Sequence, residues 1–215
     1  MAGEAPREDQ IPPIVTPSRG GAVQVTRGCP RRCHFCSPTA WNFRSMPLST
    51  IMKEVKINKL AGARNIDLIA EDVMLYGAKG ININKEALLS LFKRISREVP
   101  SITFNHASFA SVLPAKNIIR ELTELSGHGA DKPLFPQVGL ESGSPRIMRK
   151  YMSGKSRPWR PEEWPQVVKE AMSIMNENYW YPCCTLIIGF PDETEDDIIR
   201  TLELVDDLRS MRAKA

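Results

Sequence analysis

The sequence of 215 residues contains no apolar run of about 18 residues, the length that a membrane-spanning helix requires. Its first ten residues, MAGEAPREDQ, are polar and lack the apolar stretch of a signal peptide. An excess of one charge sign is also missing, because 29 basic residues against 25 acidic ones leave a net charge of only +4. These absences predict a cytoplasmic protein without a membrane span, and they give no reason to expect binding to nucleic acid.

The cysteines are few but crowded. There are five, an odd number, and Cys29, Cys33 and Cys36 lie within eight positions, in the order Cys-Pro-Arg-Arg-Cys-His-Phe-Cys. In a reducing compartment such crowding is typical of metal binding or catalysis rather than of disulfides. Three thiolates in the spacing C-x3-C-x2-C can hold three irons of a 4Fe–4S cluster and leave the fourth iron open to a small molecule.

Two other readings of the cysteines stay open at this point. They could form a zinc knuckle whose fourth ligand lies elsewhere, although a tetrahedral zinc site normally uses a second ligand pair and none follows. They could also be small buried apolar residues, although three in one loop is dense for that role. His34 lies inside the loop, and we expect it to face solvent or to support the ligands rather than to bind metal.

The remaining sequence alternates strand-like and helix-like patterns. Ser49 is expected to cap the first helix and Thr194 the last, whose inward face should hold Ile198, Leu202 and Val205. The predicted strands cover 22–26, 65–70, 101–108, 134–140 and 183–188, and the predicted helices cover 49–61, 84–99, 115–126 and two segments that begin at Pro161 and after Thr194.

Strands that alternate with helices predict an α/β fold with a parallel sheet covered by helices and with right-handed crossovers. Residues 1–20 are rich in proline, glycine and charge, and we expect a linker or N-terminal arm there. Residues 21–215 are expected to form one core domain. The cysteine loop follows its first strand directly.

The loop resembles the signature of the radical S-adenosylmethionine (radical SAM) superfamily, in which an aromatic residue precedes the third cysteine; Phe35 fills that place. The resemblance runs from about residue 23 to 208. It implies a parallel β/α barrel whose site lies at the carboxyl ends of the strands. The superfamily core usually has six β/α units, whereas five are visible here, so we expect a partial barrel and a C-terminally incomplete core from a longer protein.

Further segments at the strand ends carry the same resemblance. In the family, the end of the second strand holds the methionine amino group of the cofactor, so Glu71 and Asp72 are the candidates, with the choice between them open. The end of the fourth strand binds ribose hydroxyls and the cofactor carboxylate. This implies cofactor roles for Glu141 and Ser142, and for Arg146 on the helix that follows.

The last strand ends in Ile-Ile-Gly-Phe-Pro-Asp-Glu-Thr, which resembles the family segment beside the adenine. Ile187, Gly189 and Phe190 are therefore expected to contact the cofactor through apolar side chains and free backbone groups. His106 lies near the end of the third strand, where it could contact substrate or donate a proton, or could equally be a satisfied core histidine.

The resemblance implies that a reduced 4Fe–4S cluster cleaves S-adenosylmethionine and that the resulting 5′-deoxyadenosyl radical abstracts hydrogen from a substrate. Expected partners are that unidentified substrate and an electron donor such as flavodoxin or ferredoxin. Possible outcomes are methyl transfer, methylthiolation or carbon–carbon bond or ring formation.

The segments at the ends of the fourth and fifth strands are most similar to the branch that often carries an N-terminal cobalamin-binding domain. The chain has no D-x-H-x-x-G motif, so cobalamin is expected only through a domain outside it. Two alternatives stay open: a non-catalytic iron–sulfur or zinc module, and an RNA-modifying methylthiotransferase. The second needs a basic face that the sequence does not display.

Overall fold

The computed structural model describes residues 10–212. In chain order its strands are β1 (Ala22–Gln24), β2 (Thr26–Arg27), β3 (Arg44–Ser45), β4 (Asn65–Ile69), β5 (Ser101–Phe104), β6 (His106–Ala107), β7 (Gln137–Glu141) and β8 (Cys183–Leu186). The helices are α1 (Leu48–Leu60), α2 (Lys85–Ser96), α3 (Phe109–Val112), α4 (Ile119–Leu125), α5 (Pro145–Tyr151), α6 (Trp164–Glu177) and α7 (Glu195–Asp207).

The larger strands pair in parallel and in chain order. One sheet has the order β1-β4-β5 and another the order β6-β7-β8, while β2 and β3 form a short antiparallel ribbon beside the cysteine loop. Asn105 joins the two parallel sheets, since its N–H donates to the carbonyl of Leu68 at 3.4 Å and its carbonyl accepts from the amide of Gln137 at 2.8 Å. The expected α/β class with parallel sheets is confirmed.

Strand alternation separates the core from the site. In β4, Ile66 and Leu68 are fully buried against the helices, whereas the polar Asp67 between them points to the other face. There the hydroxyl of Thr103 donates to Asp67 at 2.9 Å. The apolar face therefore supplies the core, and the opposite face is left for polar chemistry.

Three local expectations needed correction. The first helix is capped at Pro47, and Ser49 lies inside it, because the Pro47 carbonyl already accepts the amides that open the first turn. The third predicted helix, 115–126, is shortened to α4, since a 3-10 turn over Leu113–Ala115 precedes it. Leu202 does not face inward: it is 60% exposed, while Thr201 and Leu204 form the buried face of α7.

Thr194 caps α7 as expected, with Asp197 in the reciprocal position of a capping box. The predicted arm is partly visible: residues 1–9 lie outside the described residues, and the segment after them lies on α1. There the amide of Ile14 donates to Glu54, and the amide of Ser18 donates to Asn58. Among residues 10–212, none of the helices has the length and apolar composition that crossing a bilayer requires.

Candidate active site

A cavity of about 380 Å³ lies at the carboxyl ends of the parallel strands. The cysteine loop closes one side of it. The ends of β4, β6, β7 and β8 provide the rest of the wall, as expected for a parallel sheet whose loops gather at one edge. Glu71, Asn105, His106, Glu141 and Thr185 come from four different strand ends and all line this one space.

All three thiols of the loop line the cavity: Cys33 is buried, while Cys29 and Cys36 are partly exposed. Burial raises the pKa of Cys29 to about 11 and raises the pKa values of Cys33 and Cys36 as well. A bound metal would take the place of the thiol protons. The loop itself is ordered by hydrogen bonds, among them one from the hydroxyl of Thr39 to the carbonyl of Cys36 at 2.6 Å.

The donor set fits an iron–sulfur cluster. Three soft sulfur ligands on one loop suit iron–sulfur or zinc chemistry rather than hard cations. Within the part of the chain that the structure describes, no three His, Cys, Asp or Glu side chains are placed to hold a single metal ion. An iron–sulfur cluster does not need three ligands around one ion, because each thiolate binds a different iron atom.

The two adjacent carboxylates at the end of β4 have different environments. Asp72 is buried, accepts from the hydroxyl of Ser111 at 2.5 Å and from the amide of Met74, and lies 3.5 Å from the guanidinium of Arg31. Glu71 is half-buried, and its Oε2 atom has no partner among the described residues. Burial raises the pKa of Glu71. The available carboxylate in the cavity is therefore that of Glu71.

Glu141 lies at the end of β7 and is 8% exposed. Its carboxylate accepts from Lys155 Nζ at 3.1 Å and from the hydroxyl of Thr185 at 3.3 Å. The backbone of Glu141 has a φ of 64°, and the register of β7 against β8 shifts between Gly139 and Glu141. This bulge ends the regular alternation of the strand and directs the Glu141 side chain into the cavity.

His106 lines the cavity from β6, and its Nδ1 atom is buried without a partner in the described structure. It also lines a second cavity of about 450 Å³, together with Asp67 and His128. The unpaired Nδ1 atom distinguishes His106 from a core histidine whose polar atoms are all satisfied.

Two residues expected at the cofactor do not reach this cavity. The hydroxyl of Ser142 lies 3.2 Å from that of Thr201 and accepts from the amide of Ser144, so it joins β7 to α7. Arg146, which is partly exposed, forms ion pairs with Asp192 and with the buried Asp197. Both side chains therefore hold α7 in place, and their polar groups are already paired.

The segment after β8 approaches the cysteine loop from the side. Phe190 is buried, stacks on Tyr151 with ring centroids 4.8 Å apart, and lies 6.1 Å from the ring of Phe35. Phe35 itself lines the cavity and is 45% exposed. Ile187 donates its amide to the carbonyl of Glu141, and the amide of Gly189 donates to Glu193. Ile187, Gly189 and Phe190 are thus not on the cavity wall, and Phe190 lies against Phe35.

Two basic residues at the cavity were not anticipated from the sequence. Lys155 lies only 14 positions after Glu141 but in an irregular segment, where no period predicts the direction of a side chain. Arg31 lies between two cysteines. Arginine is normally a surface residue, yet Arg31 is only 5% exposed. An arginine inside a ligand loop is itself a signal, because it needs acceptors wherever it becomes buried.

The family model of the radical SAM superfamily matches residues 23–205. The chain therefore belongs to the radical SAM superfamily. This confirms the resemblance drawn from the sequence. Enzymes of this superfamily use a 4Fe–4S cluster and S-adenosylmethionine, so an enzyme class and both cofactors are confirmed at the level of the family.

Curated relatives are similar to nearly the whole chain. A tRNA-2-methylthio-N(6)-dimethylallyladenosine synthase of Nitrosomonas europaea is 27% identical over 95% of this chain and 44% of its own length. A ribosomal protein uS12 methylthiotransferase of Chlamydia abortus is 26% identical over 94% of this chain and 41% of its own length. The chain thus spans less than half the length of these relatives.

Solved structures share the fold at low sequence identity. The radical S-adenosylmethionine methyltransferase TsrM from Kitasatospora setae, solved with cobalamin and a 4Fe–4S cluster, has a TM-score of 0.59 at 15% identity, covering 88% of this chain and 34% of that one. Methylornithine synthase (PylB) has a TM-score of 0.55 at 14% identity, covering 86% and 49%. The parallel α/β architecture is therefore common to all three.

Proposed function

We propose that this chain is the core of a radical SAM enzyme and that Cys29, Cys33 and Cys36 hold its 4Fe–4S cluster. The observation that carries the proposal is one cavity lined by all three thiols together with Glu71 and Glu141. When bound, the reduced cluster supplies one electron that splits S-adenosylmethionine into methionine and a 5′-deoxyadenosyl radical, which takes hydrogen from the substrate. The electron comes from a donor of the flavodoxin or ferredoxin type.

The side chains of the cavity suggest how the cofactor is held. Glu71 has an unpaired carboxylate oxygen and is assigned to the cofactor ammonium. Glu141 is assigned to the ribose hydroxyls, and Lys155, whose Nζ lies beside it, to the cofactor carboxylate. Phe35 lines the cavity and offers an apolar surface to the adenine, with Phe190 supporting it from behind.

Five expected cofactor residues are given indirect roles on the same grounds. Asp72 orders the loop through Arg31, and Ser142 joins β7 to α7. The amide of Ile187 donates to the carbonyl of Glu141 just after β8, and the amide of Gly189 donates to the carboxylate of Glu193, so both order the segment that leads to Phe190. Arg146 anchors the start of α5 to α7.

His106 is proposed as a substrate contact. Its unpaired Nδ1 and its place between the two cavities support this assignment. A substrate that enters from the second cavity would reach the imidazole before it reaches the cysteine loop.

For the architecture we propose a partial (β/α) barrel of five units formed by residues 21–215, preceded by the arm 1–20. The chain-order pairing of the parallel strands supports this arrangement. A cytoplasmic location is proposed with it, because the names of the relatives refer to tRNA and to a ribosomal protein. Cobalamin would enter only through a further domain.

A second, narrower candidate is methylthiolation of RNA or of a ribosomal protein. It is favoured by the names of the curated relatives, which match 94–95% of this chain. Mass analysis of tRNA nucleosides and of ribosomal protein, from cells with and without the gene, tests it. Loss of a methylthio modification on deletion supports the candidate, and unchanged modifications contradict it.

The experiment for the main proposal is anaerobic reconstitution with iron and sulfide, followed by S-adenosylmethionine and a reductant. We expect broad visible absorbance and release of 5′-deoxyadenosine. Cys36→Ser should abolish both. Cys183→Ser is the matched control, because Cys183 lies outside the cavity lining, and it should retain both. Zinc at one equivalent without iron absorbance would identify a zinc module instead. An intact cluster that yields no 5′-deoxyadenosine would contradict catalysis.

A further inference from the structure

Arg31 lies between the first two cysteines, but its side chain points into the protein and is 5% exposed. Its Nη1 atom donates to three carbonyl oxygens, those of Gly154 at 3.4 Å, Lys155 at 2.8 Å and Arg157 at 3.0 Å. Its Nη2 atom donates to the hydroxyl of Ser111 at 2.6 Å. One guanidinium is therefore surrounded by acceptors from segments 80 to 126 positions away.

The same Nη2 atom lies 3.5 Å from the carboxylate of Asp72, which in turn accepts from Ser111. Arg31, Ser111 and Asp72 thus form a closed triangle. The Nε atom of Arg31 is the part of the group that is buried without a partner in the described structure. A planar guanidinium suits this task because its donors diverge in a fixed fork, whereas a lysine ammonium is a single point.

Backbone contacts also join the cysteine loop to residues 151–157. A Cβ atom added to Gly154 would lie 1.9 Å from the carbonyl oxygen of Arg31. Only glycine therefore allows these two segments of the backbone to approach this closely. The amide of His34 donates to the carbonyl of Tyr151 at 2.8 Å. Residues 151–157 are therefore seated on the cysteine loop at several points, and Arg31 makes most of the polar contacts.

The segment held by Arg31 carries Lys155, whose Nζ atom reaches Glu141 in the cavity. On its other side Arg31 holds Asp72, the neighbour of Glu71. Three parts of the cavity wall thus meet at one side chain: the cysteine loop, the end of β4 and the segment with Lys155. Both terminal nitrogens of Arg31 donate to protein acceptors, so the fold itself holds the guanidinium in place.

We propose that Arg31 is a positioning residue that sets the shape of the cysteine loop and fixes Lys155 in the cavity before any cluster or cofactor arrives. The proposal rests on the proposed function only in calling that loop a cluster site. Its physical content, a preorganised loop, is a property of the metal-free chain. Preorganisation of ligands by their supporting hydrogen bonds raises metal affinity without adding a ligand.

The test compares Arg31→Gln with Arg32→Gln, since Arg32 is the next residue of the same loop and is exposed. Hydrogen exchange of the metal-free full chain is followed by mass spectrometry. We expect Arg31→Gln to raise exchange about tenfold in peptides that cover 29–36 and 151–157, while peptides from α2 keep the wild-type rate. Arg32→Gln should match the wild type, and Arg31→Lys should fall between them.

A second measurement uses the reconstituted protein and an iron chelator. Visible absorbance should be lost about tenfold faster in Arg31→Gln than in Arg32→Gln. If Arg31→Gln does not fold, Ser111→Ala removes one arm of the network and should give the same regional pattern at smaller amplitude. Exchange raised equally in every segment would assign Arg31 to global stability alone and overturn the proposal.

The two proposals fail separately. If the wild type takes up no iron but Arg31→Gln shows the regional exchange, the cluster function is wrong and the positioning role stands. If the wild type takes up a cluster while Arg31→Gln and Arg32→Gln exchange and lose iron alike, the positioning role is wrong and the cluster function stands.

Discussion

Replacing Glu71 by glutamine separates binding from stability at the end of β4. Glu71→Gln keeps the size of the side chain and removes its charge. The Oε2 atom has no partner in the described structure, so the change breaks no ion pair. If Glu71 binds the cofactor ammonium, the variant should lose affinity for S-adenosylmethionine while the protein remains folded.

The effect on stability follows from the pKa of Glu71, which burial raises above its usual range. A carboxylic acid whose pKa is higher in the folded state favours folding in its neutral form. Its ionisation lowers stability as the pH rises from the unfolded pKa through the folded one. At neutral pH the wild type carries this penalty and the amide does not. The melting temperature of Glu71→Gln without metal should therefore equal or exceed that of the wild type.

Although Glu71→Gln should not lower the stability, it should weaken the binding of S-adenosylmethionine. A hydrogen bond between charged groups contributes about 1.5–3 kcal/mol, which corresponds to about 10- to 150-fold in the dissociation constant. Equilibrium dialysis with labelled S-adenosylmethionine and anaerobically reconstituted protein measures this change. The iron content should match that of the wild type, because Glu71 is not one of the three proposed cluster ligands.

Asp72→Asn is the matched control, because it makes the same chemical change at the next residue. It weakens a buried ion pair with Arg31 and a hydrogen bond from Ser111. Breaking such a pair costs about 3 kcal/mol, or about 6–12 °C in melting temperature for a domain of this size. Unchanged cofactor affinity in Glu71→Gln would refute the reasoning, as would a loss of affinity in Asp72→Asn at undiminished stability.

Two further predictions concern packing around the site. Gly154→Ala places a Cβ atom on the carbonyl of Arg31, so we expect a loss of about 1–3 kcal/mol in denaturant unfolding and a lower yield of reconstituted iron; an unchanged midpoint would contradict it. Asp197→Ala removes the capping carboxylate of α7, whose pKa its arginine partner holds below the usual range. It should cost about 2 kcal/mol at pH 7, a difference that shrinks as wild-type Asp197 protonates in acid; a difference independent of pH would contradict it.

Much of the fold was predictable because its strands and helices carry strong periodic patterns. Ile66 and Leu68 alternate with polar residues in β4, and Thr194 with Asp197 forms a capping box that is visible in the sequence. Ser49 failed as a cap because the carbonyl of Pro47 already accepts the first helical amides. A cap depends on local backbone direction, which residue type alone does not determine.

The site was predictable only where its chemistry is local in sequence. The cysteine spacing predicted a metal-binding loop and the strand ends predicted Glu71 and Glu141 as site residues, and the structure brings all of them to one cavity. Whether Glu141 or its neighbour Ser142 enters the cavity depends on a bulge, because an irregular register cancels the alternation that would assign the two faces. Lys155 required the folded chain, since an irregular segment has no period from which to infer direction.

The acidic side chains of the cavity explain why two basic residues lie there. Arg31 and Lys155 together balance two of the three carboxylates of Glu71, Asp72 and Glu141 that line it. Asp72 is paired with Arg31 and Glu141 with Lys155, which leaves Glu71 as the unbalanced charge. S-adenosylmethionine carries one net positive charge, from a sulfonium, an ammonium and a carboxylate. Apart from the charge of a cluster, the cofactor site proposed above would therefore carry a charge opposite in sign to that of S-adenosylmethionine.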